Sequence, residues 1–315
     1  MSIIKDFFDL LRISLCILAS IVIMIAGYVS YRLNGINVVD FSPQNFLEFI
    51  LDNDIVPLDG VLLGLIVPFS MIAGTHVIND YFDYSNDVIN QRLDRPLVRG
   101  TITLPMAKNI AIGFYLLALF ITVIEVVFYG LSPLLILFTL FFIVLGVGYN
   151  LGVKNYGIIG NIWVSTGYVA PFLMGTLLVG IANNWVNLNI IVICLFILFL
   201  ALGREVLKDI MDIEGDLETG KRSVAISLGS GWAARISGII YVLSIFFGTL
   251  LLFLGFRNNL VFFTGFMLLV ALLLFTTVLL IRNPNLETAI KGRKYTRWSL
   301  WWATALIYLS SFFIA

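Results

Sequence analysis

The sequence is short of charge. Only 12% of its 315 residues are Asp, Glu, Lys or Arg, while 60% are hydrophobic and the mean hydropathy is +1.02. A soluble domain carries about 25% charged residues. The deficit excludes an ordinary soluble chain and points to an all-α protein crossing a membrane many times. Acidic and basic residues balance at 19 each, so nothing draws the chain as a whole toward nucleic acid. Cysteine is nearly absent. Cys16 and Cys194 both lie in apolar runs, which excludes a disulfide framework and a cysteine-rich zinc site. The single histidine, His76, falls near the end of an apolar run and reads as a hydrogen-bonded packing residue rather than a catalyst.

What the sequence has is length in its apolar runs. A spanning helix needs about 20 mainly apolar residues. Nine candidates meet or approach this: 13–31, 58–78, 107–128, 131–148, 158–180, 187–203, 233–255, 260–282 and 298–314. The first follows Lys5 and Arg12, as in a signal peptide. It is too long for one, has no small-residue cleavage site, and reads as retained. With the N-terminus in the cytoplasm, nine crossings leave only Arg32 and Arg257 of the 19 Lys and Arg residues outside. Between the first two spans, Ser42-Pro43 followed by Phe46, Leu47, Phe49 and Ile50 predicts a short interfacial helix. The expected architecture is a single domain over 1–315, a multi-pass bundle of nine transmembrane helices in the cell membrane.

The scarce charges are not scattered. Residues 79–96 read NDYFDYSNDVINQRLDRP, and residues 204–222 read REVLKDIMDIEGDLETGKR. Asp80, Asp83 and Asp87 form D-x-x-D-x-x-x-D, and Asp209, Asp212 and Asp216 form it again. The offset is 129 residues at each position (209−80, 212−83, 216−87), and Arg92 and Lys221 share it. One set follows the second span and the other follows the sixth, which predicts an internal four-helix repeat with one acidic cluster per half. Internal repeats in membrane proteins often carry the site at their interface. In the topology above, both clusters face the cytoplasm.

On a helix, Asp80, Asp83 and Asp87 lie within about 60° of one face, with Asn79 a turn before Asp83. Arg204, Lys208, Asp212 and Asp216 are spaced to descend a second helix in steps of four. Two carboxylate faces brought together need a cation. Oxygen donors favour Mg²⁺ or Ca²⁺ over zinc or copper, and Mg²⁺ is commonly held by one or two carboxylates plus substrate phosphates. Arg92, Lys154, Lys208, Lys221 and Arg222 suit phosphate oxygens. Solvated loop charge accounts for single aspartates, but it does not account for a spacing used twice. Glu205, Glu214 and Glu218 read as surface partners, and Asp94 as a loop charge. A membrane site for Mg²⁺ and diphosphate implies a substrate with one charged end and one apolar end, which describes a prenyl diphosphate. Acidic residues in a helical bundle also occur in cation transporters. Those sites lie near the midplane, whereas these acids cluster at span ends.

At these residues the chain resembles the UbiA-type intramembrane prenyltransferases. NDYFDYSND matches the family's N-D-x-x-D-x-x-x-D motif, DIMDIEGD matches its second motif, and QRLDRP is similar to its R-x-x-R-P segment. The family often carries Y-x-x-x-K after the fourth helix, whereas here Tyr149 and Lys154 are five apart. The resemblance implies metal ligands at Asn79, Asp83, Asp212 and Asp216. It implies catalytic or supporting roles for Asp80, Asp87, Asp209 and Tyr149, and diphosphate contacts from Arg92, Lys154, Lys208 and Lys221. It also implies Mg²⁺ as cofactor, a prenyl diphosphate donor, and a lipid or aromatic acceptor, with no obligate protein partner. The wording of the motifs is nearest the archaeal ether-lipid branch, whose acceptor is geranylgeranylglyceryl phosphate. Prenylation of an aromatic acceptor in quinone biosynthesis is the alternative.

Overall fold

The computed structural model describes residues 3–33, 58–89, 91–178, 187–218, 220 and 222–313. Among them all regular structure is helical: α1 (Ile3–Leu11), α2 (Ile13–Leu33), α3 (Leu58–Ile89), α4 (Leu104–Phe128), α5 (Leu134–Asn150), α6 (Gly157–Leu178), α7 (Leu188–Met211), α8 (Ile213–Glu218), α9 (Val224–Leu228), α10 (Ser230–Leu251), α11 (Leu260–Arg282) and α12 (Leu286–Ser311). A 3₁₀ turn covers Val153–Asn155. The predicted interfacial helix after Ser42 lies outside the described residues, as does Lys221.

Seven described helices are long and apolar enough to cross a membrane: α2, α3, α4, α6, α7, α10 and α11. The two other expected spans fall on α5, which is apolar but only 17 residues long, and on α12, whose first half carries Lys291, Arg293, Lys294 and Arg297. Helix starts follow their cap residues. Thr103 accepts from the Met106 amide ahead of Pro105, and Asn187, Asn259 and Asn285 cap α7, α11 and α12 in the same way. The chain divides into two compact units.

The first unit contains α1, α2 as far as Tyr28, α3, α4, α5 and the end of α6 from Met174. One of its cores gathers Leu10, Leu11, Cys16, Val77, Leu97 and Tyr115, so α1, α3, α4 and the loop after α3 share one packed centre. Another gathers Ile23, Val67, Ile121, Leu135 and Met174. Where α2 meets α6 the backbones nearly touch: a Cβ on Gly175 would stand 2.5 Å from the Gly27 amide nitrogen. Small residues permit this approach, a common packing device between membrane helices. Pro68 interrupts the hydrogen-bond ladder of α3, and in that turn the Leu65 carbonyl accepts from Ser20 Oγ at 2.9 Å.

The second unit contains the rest of α2, the 3₁₀ turn, α6 as far as Phe172–Leu173, and α7 to α12. Its centre is α7, most of whose residues are buried, with Val206 and Leu207 packed on Ala233, Ala234, Leu280 and Ala289. Polar residues on such a helix have nowhere to go but inward.

Candidate active site

In the first unit the acidic motif is helical throughout, because α3 runs on to Ile89. Asn79 Nδ2 donates to Asp83 Oδ2 at 2.9 Å, so these two predicted ligands are adjacent, and both are half-buried. Asp80 behaves differently. It is 2% exposed and held by two guanidiniums: Arg12 Nη2 at 2.7 Å, and Arg95 Nη1 at 2.8 and 3.0 Å to its two oxygens. Arg12 sits between α1 and α2 with φ of 52°, a left-handed conformation that costs a side-chain-bearing residue roughly 1–2 kcal/mol. That turn sends its guanidinium back to Asp80 and to His76 Nδ1, at 3.2 Å. His76 is therefore a hydrogen-bonded packing residue, as its sequence position suggested.

Asp87 is half-buried, with Arg95 Nε 3.9 Å away. Burial pushes its carboxyl above the ordinary range, against the pull of Arg95 and Arg92. Arg92 itself is exposed and makes a two-point bond with Asp94, at 2.9 Å for each contact. Of the two arginines in the R-x-x-R-P segment, it is Arg95 that turns toward the acidic motif. The segment is then fixed from beneath. Arg99 donates to the Leu93 and Asp94 carbonyls at 2.9 and 3.1 Å and to the buried carboxylate of Asp6 on α1 at 2.5 Å. Burial raises the Asp6 carboxyl, but hydrogen bonds from Arg99 and Thr101 and the charge of Arg99 carry it below the usual carboxylate range. Sequence reasoning did not see this α1 clamp. Arg12 and Asp80 are 68 residues apart, and Asp6 and Arg99 are 93 apart, so no local pattern announces either pair.

In the second unit the expected continuous helix is broken. α7 ends at Met211 and α8 starts at Ile213, with Asp212 at the junction at φ −99° and ψ 9°. The bonds Asp212 N to Lys208 O and Asp216 N to Asp212 O persist at 3.1 and 2.8 Å, so the break is a kink and not a turn away. Asp212 is the C-cap of α7, and Glu214 and Asp216 lie in the first turn of α8, where the helix dipole favours acids. Asp212 is exposed and Asp216 buried. Asp209 is 3% exposed; its Oδ2 accepts from Asn161 Nδ2 at 2.9 Å and the Val224 amide at 3.0 Å, tying α7 to α6 and α9.

Lys154, half-buried in the 3₁₀ turn, is brought beside the end of the second motif, where the Arg222 amide donates to the Asn155 carbonyl at 3.3 Å. Tyr149 is half-buried on α5 in the first unit. Lys208 Nζ lies 2.5 Å from Glu205 Oε2, and Arg204 Nη1 lies 2.9 Å from Glu205 Oε1. Glu205, expected at the surface, is 4% exposed. α7 is enclosed on nearly all sides, and the flanking Arg204 and Lys208 compensate the buried charge.

Among the described residues no three His, Cys, Asp or Glu side chains converge as a cage for an ion. The donor set is all oxygen, in small groups. That fits Mg²⁺, which keeps waters and completes its shell with phosphate oxygens rather than a dedicated protein cage. On the flank of the first unit an open groove of about 460 Å³ runs between α2, α3 and α4. Its lining, including Ile17, Ile21, Phe69 and Phe114, suits a hydrocarbon chain. Sequence reasoning also passed over Glu125 on α4. It is fully buried, and neither carboxylate oxygen has a hydrogen-bond partner among the described residues. A lone acid in a 25-residue apolar helix was the available signal.

A family model described as the UbiA prenyltransferase family matches residues 49–301. A digeranylgeranylglyceryl phosphate synthase from Sulfolobus acidocaldarius is 32% identical over 259 residues, covering 82% of this chain and 88% of the relative. One from Pyrococcus abyssi is 29% identical over 291 residues, covering 92% and 91%. A solved structure concerning digeranylgeranylglyceryl phosphate synthase in membranes aligns over 100% of both chains with a TM-score of 0.77 at 24% identity, and so shares the fold. A UbiA homolog from Archaeoglobus fulgidus, solved bound to GPP and Mg²⁺, aligns over 96% of this chain and 99% of its own with a TM-score of 0.62 at 18% identity.

Proposed function

The chain belongs to the UbiA prenyltransferase family, and from that premise we propose that it joins a geranylgeranyl group from geranylgeranyl diphosphate to geranylgeranylglyceryl phosphate, an ether-forming step in archaeal membrane-lipid synthesis. It is a prenyltransferase and a multi-pass membrane protein. One observation carries the choice of acceptor: relatives named digeranylgeranylglyceryl phosphate synthase, 29% and 32% identical, align over 92% and 82% of the chain.

The chemistry balances simply. The allylic C–O bond of the donor breaks and its electron pair leaves with the diphosphate. The acceptor's hydroxyl oxygen forms the new C–O bond and releases its proton. Bound Mg²⁺ supplies charge neutralisation for the departing diphosphate. In this reading Asn79, Asp83, Asp212 and Asp216 hold the metal. Asp87 is a further carboxylate of the first motif, and Asp80 and Asp209 are held by the arginine, asparagine and amide bonds described above. Lys154, Lys208, Arg92 and Lys221 serve the diphosphate, and Tyr149 is the further catalytic residue that the resemblance implies. Apolar surroundings keep water from the carbocation, and aromatic faces stabilise its charge.

We also propose that α5 and the second half of α12 complete nine crossings, with the N-terminus and both acidic motifs on the cytoplasmic side. The two halves would form a four-helix repeat within a single enzymatic domain over 1–315. The distribution of Lys and Arg supports this orientation. The test is a panel. Purified protein in lipid nanodiscs receives prenyl diphosphates of several lengths with geranylgeranylglyceryl phosphate, 4-hydroxybenzoate or a naphthoate, with and without Mg²⁺. Efficient Mg²⁺-dependent labelling of the ether phosphate supports the reading. Labelling of the aromatic acids alone overturns it.

A further inference from the structure

Arg204, Glu205 and Lys208 are two cations and one anion on the most enclosed helix of the second unit. Glu205 is shared: Oε1 takes Arg204 and Oε2 takes Lys208. Arg204 is 9% exposed, and its Nε has no hydrogen-bond partner among the described residues. A third cation stands nearby. α12 passes against α7 where Gly292 lacks a side chain, for a Cβ there would lie 3.0 Å from Leu207 Cδ1. The next residue on α12 is Arg293. Its Nε is buried without a partner, and no acid pairs with its guanidinium among the described residues. Tyr168 on α6 completes the group. Its hydroxyl accepts from Arg204 Nη1 at 3.3 Å, which leaves the phenolic hydrogen able to donate, and Arg293 acts on the same phenol through space. Tyr168 as a whole residue is 37% exposed.

With Lys208 serving the donor diphosphate, Arg204 and Arg293 against Glu205 leave an excess of one positive charge. Two guanidinium Nε–H groups buried without an acceptor among the described residues are donors that a nearby anion would satisfy. The anion must suit planar forks and one hydroxyl donor, which describes a phosphate. It must also come without a metal. Among the described residues the carboxylate bonded to this group, Glu205, is already shared by two cations. A diphosphate donor that binds through Mg²⁺ wants carboxylates, whereas a phosphate monoester wants only cations.

We propose that Arg204, Arg293 and the Tyr168 hydroxyl seat the phosphate of the acceptor. This rests on the reading that the acceptor is a glycerol-ether phosphate. Glu205 acts through Arg204, fixing its guanidinium by the bond at Nη1. Lys208 is the second cation balanced by Glu205 and lies on the side toward Asp212, a turn further along the chain.

The experiment compares two acceptors with one donor: geranylgeranylglyceryl phosphate and geranylgeranylglycerol, which lacks the phosphate. The variants are Arg293→Gln, Arg293→Lys and Tyr168→Phe. The wild type should prefer the phosphorylated acceptor in kcat/KM. Arg293→Gln should reduce that preference by about ten-fold or more, the loss of a charge-assisted contact. Arg293→Lys should recover part of it, and the KM for geranylgeranyl diphosphate should change by less than about two-fold. The preference is a ratio within each variant, so a lower active fraction cancels. Arg293 has no ion pair to lose among the described residues, so Arg293→Gln should unfold no earlier than the wild type. An unaltered preference, a larger rise in donor KM than in acceptor KM, or a clearly lowered unfolding midpoint each overturns the assignment. A wild type that does not use the ether phosphate at all overturns the proposed function, and the seat with it. That failure is visible before any substitution is made.

Discussion

Arg12→Gln isolates the clamp that ties α1 and the loop after α3 to the acidic motif. The substitution removes one of two guanidiniums from a carboxylate that is 2% exposed. Losing a hydrogen bond to a charged group costs about 1.5–3 kcal/mol. Two features place the value near the lower end. Arg95 still reaches both Asp80 oxygens, and the Arg12 side chain is 28% exposed, so solvent screens part of the interaction. The expectation is roughly 1.5–2 kcal/mol, or a fall in unfolding midpoint of about 2–3 °C for a chain of this length. The assay is thermal unfolding in detergent, followed by the surviving monodisperse fraction, for Arg12→Gln, Asp80→Asn and the double variant. If the contact is real, the pair couples by about 1 kcal/mol or more. Additive effects, with coupling under about 0.5 kcal/mol, would refute the clamp. A parallel Mg²⁺ titration separates a second possibility. Were Asp80 itself a metal ligand, Asp80→Asn would shift the Mg²⁺ half-saturation point while leaving stability nearly intact.

Three more expectations bear on different parts of the account. Asp83→Asn and Asp212→Asn should each lower turnover at least ~100-fold, because each removes charge from a metal that neutralises the leaving diphosphate; near-normal turnover at limiting Mg²⁺ would count against both assignments. The Asp6 carboxyl is held below its unfolded value, so its contribution to docking α1 is fully present above about pH 4 and is lost as pH falls through its folded value. Hydrogen exchange in α1 should accelerate on acidification in the wild type and show no such step in Asp6→Asn, and equal profiles would remove Asp6 from the account. Gly175→Ala places a methyl 2.5 Å from the Gly27 amide nitrogen and 2.8 Å from the Ile23 carbonyl oxygen, backbone atoms that cannot swing aside. It should destabilise by about 1–3 kcal/mol or more, and an unchanged midpoint would mean that α2 and α6 pack less closely than described.

The legible part of this molecule was written in spacing. Apolar runs located the helices, and a repeated D-x-x-D-x-x-x-D placed one acidic cluster in each compact unit, because helical periodicity and charge are local properties. Asp80 shows where that stops. Its position within the motif matches Asp83 in kind, and only the fold shows that Arg12 and Arg95 already occupy its oxygens. The kink at Asp212 was hidden for another reason. No proline marks it, and its one nearby glycine, Gly215, falls three residues beyond the break. Glu205 was placed on the surface because it is charged, yet it lies on a helix so enclosed that its charge must be balanced internally. Arg92 and Arg95 are alike in sequence, yet the first turns to its near neighbour Asp94 and the second reaches back 15 residues to Asp80.

The most direct measurement follows both products at once in lipid nanodiscs supplied with labelled geranylgeranyl diphosphate and geranylgeranylglyceryl phosphate while Mg²⁺ is titrated. The account predicts that diphosphate and the doubly geranylgeranylated ether phosphate appear in equal amounts, both rising with Mg²⁺, and that both vanish in Asp83→Asn and in Asp212→Asn. Diphosphate release that ignores the acceptor, or ether formation that persists in those variants, would contradict it.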